Sequence, residues 1–105
     1  EPMITVEISQ RDIDLAFKAR KLRYANKANG TAHFISQSCP LANAVRRKFR
    51  NKVSVASVVT VTKHVKGRYI SRTFNLCDSA AAIVNAFDCR LEIFPTAVNL
   101  TEKVG

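Results

Sequence analysis

The apolar residues of the chain follow two different spacings, and these spacings predict the elements. Apolar side chains alternate with polar ones over Met3–Ile8, which predicts a strand with one buried face. Helical spacing follows over Gln10–Ala25, where Ser9 and Asp12 have the residue types and the separation of a capping pair. The first two elements are therefore a strand and a helix.

A second amphipathic helix is predicted after the Asn29-Gly30 turn. Residues 31–35 are compatible with a short strand or with an extended segment leading into that helix. Pro40 suits a first helical turn, because proline has no N–H group to leave unsatisfied there. We expect the helix to end near Asn51. One side carries an apolar stripe, and the other carries a basic face: Leu41, Ala44, Val45 and Phe49 against Asn43, Arg46, Arg47 and Arg50.

The next segment, Val53–Val65, is rich in β-branched residues and predicts one strand. Lys66-Gly67 then predicts a turn into a second antiparallel strand, Arg68–Leu76. A third helix is expected over Ser79–Phe87, with Asp78 as its cap. The last strand is expected within residues 90–100, interrupted or turned at Pro95.

The predicted order is β-α-(β)-α-β-β-α-β, in which the bracketed strand is the uncertain segment 31–35. Because the central connection is a hairpin, we predict an α+β fold, with a small antiparallel or mixed sheet and about three helices on one face. A chain of 105 residues suits a single domain, expected over 3–100. Glu1-Pro2 has the appearance of a cloning remnant, and residues 101–105 are expected to fray.

Charge narrows the classes of partner. Seventeen Lys and Arg residues against eight Asp and Glu give a formal net charge of +9. This surplus favours a polyanionic partner, either nucleic acid or an acidic protein surface, although solubility alone also explains it. No apolar run reaches the roughly 20 residues of a membrane span. We expect a cytoplasmic protein without membrane association.

The residues that could support catalysis or metal binding form no motif. Cys39, Cys77 and Cys89 include no C-x-x-C pair, so neither a disulfide framework nor a zinc site is predicted. Cys39 begins a helix that arginines follow, which favours a lowered thiol pKa. Neither His33 nor His64 is placed beside it by any motif, so we predict no enzyme activity, no metal and no cofactor.

Two basic clusters are the candidate binding residues. The first lies on and after the second helix and comprises Arg46, Arg47, Lys48, Arg50 and Lys52; the second surrounds the hairpin and includes Lys63, Lys66 and Arg68. Guanidinium groups bind phosphate oxygens in bidentate fashion. Tyr69 is the one aromatic residue inside a basic segment, so we expect contacts mainly with the nucleic-acid backbone.

The stretch Cys39-Pro40-Leu41-Ala42, followed by the Val-rich strand and by Phe87-Asp88 at a helix end, resembles small uncharacterised proteins encoded in bacteriophage and prophage genomes. The closing segment from Ile93-Phe94-Pro95 to Leu100 extends the resemblance. Cys89 stands where glycine tends to follow Phe-Asp in that family. The resemblance implies a phage or bacterial setting, with the cytoplasm of the host as the location, and supplies no catalytic residues.

Our first hypothesis is thus a small basic binding protein that contacts nucleic acid, or a nucleic-acid-handling complex, through the basic helix face. The alternative is a protein-interaction or inhibitor module that uses the hairpin or a sheet edge, against a host protein or as a homodimer.

Overall fold

The computed structural model describes residues 3–28 and 39–103, with the backbone alone for 23–28. The elements of this part of the chain are, in order, β1 Met3–Ile8, α1 Gln10–Ala28, α2 Pro40–Phe49, β2 Lys52–Val55, β3 Val58–Val65, β4 Arg68–Leu76, α3 Asp78–Asp88 and β5 Thr96–Glu102. The predicted α+β class with three helices is confirmed. The possible strand at 31–35 and the Asn29-Gly30 turn lie outside the described residues.

The five strands form one antiparallel sheet in the order β1-β5-β4-β3-β2. The N-terminal and C-terminal strands pair along the full length of β1, from Met3 opposite Thr101 to Ile8 opposite Thr96. The pairing of β4 with β5 is much shorter and begins only at Phe74, opposite Glu102. The Thr73 carbonyl still accepts a hydrogen bond from the Lys103 amide, and from Arg68 to Arg72 the strand β4 is paired only with β3.

Helix α2 lies at the centre of the fold. It contacts β1 and β2, which are the strands at the two opposite edges of the sheet, so the sheet curves around it. Its predicted apolar stripe is confirmed, because Leu41, Ala44 and Val45 are buried and Phe49 is half-buried. Burying such a stripe against a curved sheet removes a large apolar area from water, which is the main stabilising contribution in a domain of this size.

The other two helices pack against α2 and against the strands that α2 does not cover. Helix α3 packs on β4, β5 and α2, while α1 packs on α2. The Arg20 guanidinium of α1 lies over the rings of Phe17 and Phe87 and donates a hydrogen bond to the Phe87 carbonyl. Two aromatic faces and a carbonyl oxygen therefore stabilise its charge, and no carboxylate of the described residues forms an ion pair with it.

The predicted cap of α1 is confirmed. The Ser9 amide and hydroxyl both donate to Asp12 Oδ2 at 2.9 Å, and the Asp12 amide donates back to Ser9 Oγ at 3.2 Å. Cysteine sulfur accepts the capping bond at the other two helix starts, and at α3 this differs from the predicted cap. Cys39 Sγ accepts from the Ala42 amide, and Cys77 Sγ, not Asp78, accepts from the Ala80 amide.

The prediction of one strand over Val53–Val65 is wrong. The chain bends at Ala56-Ser57 and returns, so that β2 and β3 are antiparallel neighbours. The closing strand is also shorter at its start, because residues 91–95 are not in a strand and β5 begins directly after Pro95. At the other end, Thr101 and Glu102 lie within β5 instead of fraying.

The predicted Lys66-Gly67 hairpin is confirmed, and its outer part extends beyond its neighbours. Lys66 and Gly67 have φ values of 49° and 76°, as the two central residues of a type I′ turn require. Strand β2 pairs with β3 only up to Thr62, and β5 pairs with β4 only from Phe74. Residues 63–70 therefore form a two-stranded projection that is paired only within itself, and we call it the arm.

Candidate functional site

The arm is exposed on both of its faces. In the cross-strand register Lys63 lies opposite Ile70, His64 opposite Tyr69, and Val65 opposite Arg68. Every residue of the arm is exposed except Val65, which is half-buried. Ile70 and Tyr69 expose 53% and 77% of their surface, although apolar and aromatic side chains in a strand are usually covered. The folded core does not account for these exposures.

Charge is strongly segregated along the chain, and the arm lies inside the basic part. Between Leu15 and Leu76 there are fourteen Lys and Arg residues and no Asp or Glu. Among the described residues, no carboxylate lies within ion-pair distance of Lys63, Lys66 or Arg68. Within the described part of the chain the three exposed cations thus keep their attraction for an external anion, because no ion pair cancels it.

The first predicted cluster is divided in the structure. Arg47 Nη2 is 3.0 Å from the buried carboxylate of Asp12 and also donates to the Glu7 carbonyl of β1 at 2.8 Å. Arg46 donates to the Asn43 side chain at 3.2 Å and is half-buried. Lys48 is exposed and lines a shallow cleft beside Thr5 and Glu7. Arg47 and Lys48 thus lie on the β1 side of α2, whereas Arg46 lines a second cleft beside Arg11 and Leu15 of α1.

Contrary to the prediction, Arg50 does not lie on the basic face of the second helix. The helix ends at Phe49, and Arg50 adopts the left-handed conformation, with a φ of 57°. Its amide still donates to the Arg46 carbonyl, which closes the last turn. The chain then continues into Lys52, whose cross-strand partner is Thr62, immediately before the arm. Lys52 therefore lies at the base of the arm.

Arg72 marks the other boundary of the arm. Its guanidinium forms a bidentate pair with Glu102, at 2.9 Å and 2.8 Å, and lies over the rings of Phe49 and Phe74. The hydrogen bonds from Arg72 lower the pKa of the Glu102 carboxyl. Arg72 thus ties β4 to the end of β5 and to α2, which leaves Lys63, Lys66 and Arg68 as the external cations of the hairpin.

Asp12 has a structural role that sequence reasoning missed. Besides the predicted capping bonds, its carboxylate also accepts a hydrogen bond from the Arg47 guanidinium of α2. Burial raises the pKa of Asp12, yet the hydrogen bonds from Arg47 and Ser9 outweigh that effect and lower it overall. The residues are 35 positions apart, so no local pattern could reveal the pair.

Asp12→Asn is expected to reduce the free energy of unfolding at pH 7 by about 2 kcal/mol, because hydrogen bonds to a buried charged group are lost. Since the folded-state pKa is lowered, this stabilisation is present above the unfolded pKa of about 4 and disappears as the pH falls further. Urea unfolding between about pH 3 and pH 7 measures the difference. Asp14→Asn, an exposed neighbour on the same helix, is the control and should have little effect. A difference for Asp12→Asn that persists undiminished at low pH would contradict this assignment.

The surroundings of Cys39 do not favour a reactive thiol. Burial raises the pKa of the Cys39 thiol, contrary to the expectation of a lowered value at a helix start. Cys39 is 3% exposed and its sulfur is engaged in the helix cap. Burial also raises the pKa of Cys77, but hydrogen bonds from Ser79 and Ala80 lower it overall.

Within residues 3–28 and 39–103, no group of three or more His, Cys, Asp and Glu side chains is arranged to hold a metal ion. None of the helices in this part of the chain combines the length and the apolar content that crossing a bilayer requires. Comparisons with protein-family models, with curated proteins and with solved structures found no match to this chain.

Proposed function

We propose that this protein binds nucleic acid through the arm, with Lys52 at the base of the arm, and Arg50 two residues before it, as secondary contacts. The observation that carries the proposal is the projection of Lys63, Lys66 and Arg68 beyond the folded core, where no described carboxylate pairs with them. A two-stranded antiparallel ribbon is narrow enough to enter the major groove of a duplex or to follow a single strand.

The sequence predicts a binding face around Arg46, Arg47 and Arg50, whereas the structure favours the arm. The charge of Arg47 is already partly neutralised by the buried Asp12 carboxylate, which reduces its attraction for a phosphate. The cations of the arm lose no internal ion pair when they bind. The arm is therefore the favourable place for a polyanion.

A direct binding measurement tests the proposal. Fluorescence anisotropy with labelled single-stranded and duplex oligonucleotides at about 50 mM salt should show binding that weakens as salt is added, because counterions are released from the phosphates. Nucleic acid carried through purification should also appear in the ultraviolet absorbance ratio before a high-salt wash. Absence of binding to every oligonucleotide at low salt would exclude the proposal.

A second candidate rests on the outer edge of β4. From Arg68 to Arg72 this edge has no adjacent strand in the described part of the chain, so an extended segment of another protein could add to it. Pairing with a second copy would bring the cations of two arms together, which charge repulsion opposes. Light scattering in solution should thus report a mass near the 11.7 kDa of one chain, and a dimer mass would favour this candidate.

A further inference from the structure

The arm carries an aromatic pair whose position suggests which form of nucleic acid it binds. His64 and Tyr69 are cross-strand partners, and their ring centroids are 4.8 Å apart with an interplanar angle of 33°. Both rings lie on the sheet face that points away from the helices. Side chains alternate between the two faces of a strand, and the buried Val61 of β3 and Phe74 of β4 occupy the face opposite to His64 and Tyr69. Tyr69 remains 77% exposed although one side of its ring faces His64.

The same face provides polar partners next to the rings. The row immediately inward from the pair consists of Lys52, Thr62 and Ser71, which are cross-strand neighbours of one another. The hydroxyls of Thr62 and Ser71 are 3.4 Å apart, and Lys52 is exposed beside them. At the other end, Lys66 lies in the turn at the tip. The open ring thus lies between Lys52, which shares its face, and Lys66 at the tip, while Lys63 and Arg68 alternate to the opposite face of the narrow ribbon.

We propose that Tyr69, supported by His64, is a stacking platform for an unpaired base, so that the arm binds single-stranded nucleic acid in preference to duplex. This inference rests on the proposed nucleic-acid binding and specifies its ligand. In a duplex the faces of the bases are stacked on one another, and only their edges and the phosphates are accessible. A flat exposed ring flanked by cations complements a strand whose bases are free to stack, since the ring contacts a base while the cations contact its phosphates.

The alternative explanation is that the two rings only stabilise the hairpin. Cross-strand aromatic pairs do stabilise sheets. However, the contact between the two rings is enough for that stabilising role. It does not require the other face of the Tyr69 ring to be exposed to solvent. The test must therefore separate loss of the platform from loss of the arm's structure.

The experiment compares binding of Tyr69 variants to an oligothymidine of about 20 nucleotides, longer than the site of one small domain, and to a duplex of the same length. The wild type should prefer the single strand. Tyr69→Val, which keeps a strand-forming residue, should weaken oligothymidine binding by about tenfold and leave duplex binding within about twofold. Tyr69→Phe should retain the wild-type preference, because a phenyl ring still stacks. Phe94→Val is the matched control, since Phe94 is 67% exposed but lies outside the arm, and it should change neither affinity.

A spectroscopic readout separates stacking from folding. The chain has no tryptophan, so Tyr69→Trp introduces a single reporter. Its fluorescence should be quenched by oligothymidine and much less by the duplex. If the wild type binds both forms equally and Tyr69→Val weakens neither, or weakens both alike, the stacking inference is overturned while the proposed function stands. If the wild type binds neither form, both fail together.

Discussion

Replacing Lys63 with glutamate, Lys66 with aspartate and Arg68 with glutamate is expected to weaken nucleic-acid binding on the order of 100-fold at about 50 mM salt. Each substitution replaces an attractive phosphate contact with repulsion. Aspartate is chosen at Lys66 because that residue has a positive φ, which aspartate tolerates better than glutamate. The arm should keep its fold, since the three side chains have no ion pair within the described residues.

The matched control carries the same change in charge on another element. Arg11, Lys18 and Lys21 are exposed on α1, which packs on α2 and not on the hairpin. Replacing all three with glutamate should reduce the affinity much less, because it alters the general charge of the protein and leaves the arm intact. Equal losses in the two triple variants would mean that net charge alone governs binding, and the arm would then have no special role.

Phe74→Ala is expected to reduce the free energy of unfolding by about 3–5 kcal/mol. Phe74 is fully buried and is packed against Phe49, with 5.7 Å between ring centroids, and beneath the Arg72 guanidinium. It also lies where β4 first meets β5, opposite Glu102. The loss is large against the roughly 5–15 kcal/mol that stabilises a typical domain.

Phe94→Ala provides the comparison, because it removes the same ring from a position that is 67% exposed. We expect a change within about 0.5 kcal/mol for it. Urea unfolding followed by circular dichroism measures both variants. A Phe74→Ala protein as stable as the wild type would show that β4 and α2 do not share a core at this ring.

Local patterns predicted most of the fold because the decisive interactions are local. The alternation in β1, the Ser9 and Asp12 cap, the stripe of α2 and the Lys66-Gly67 turn all depend on residues a few positions apart. In each of these the hydrogen bonds or the buried face can be inferred from spacing alone.

The division of Val53–Val65 into two strands could not be predicted from periodicity. Val53 pairs with Val61 and Val55 pairs with Val59, and paired residues of antiparallel strands face the same side. Odd-numbered valines would share a face in one continuous strand as well. The bend at Ala56-Ser57 contains a serine, which is a weaker turn signal than the Gly, Pro, Asn or Asp residues that it lacks.

The candidate site was only partly predictable for a different reason. Helical spacing predicts that the Arg47 side chain points away from the apolar stripe of α2. Its partner Asp12, however, is on another helix and becomes a neighbour only in the folded chain. The Lys and Arg residues of the hairpin were identified, yet their projection depends on where β2 and β5 stop pairing. Strand lengths of this kind depend on tertiary packing, which spacing does not encode.

The dependence of affinity on salt tests most directly the claim that the arm binds phosphates. The test compares the wild type with a neutral variant that carries Lys63→Gln, Lys66→Asn and Arg68→Gln. Asparagine is chosen at position 66 because it tolerates the positive φ of the turn. The slope of log affinity against log salt for oligothymidine should be shallower than in the wild type by about 2, since each single-strand phosphate contact contributes about 0.7. A slope identical to that of the wild type would show that these three cations do not contact phosphates and would contradict the proposal.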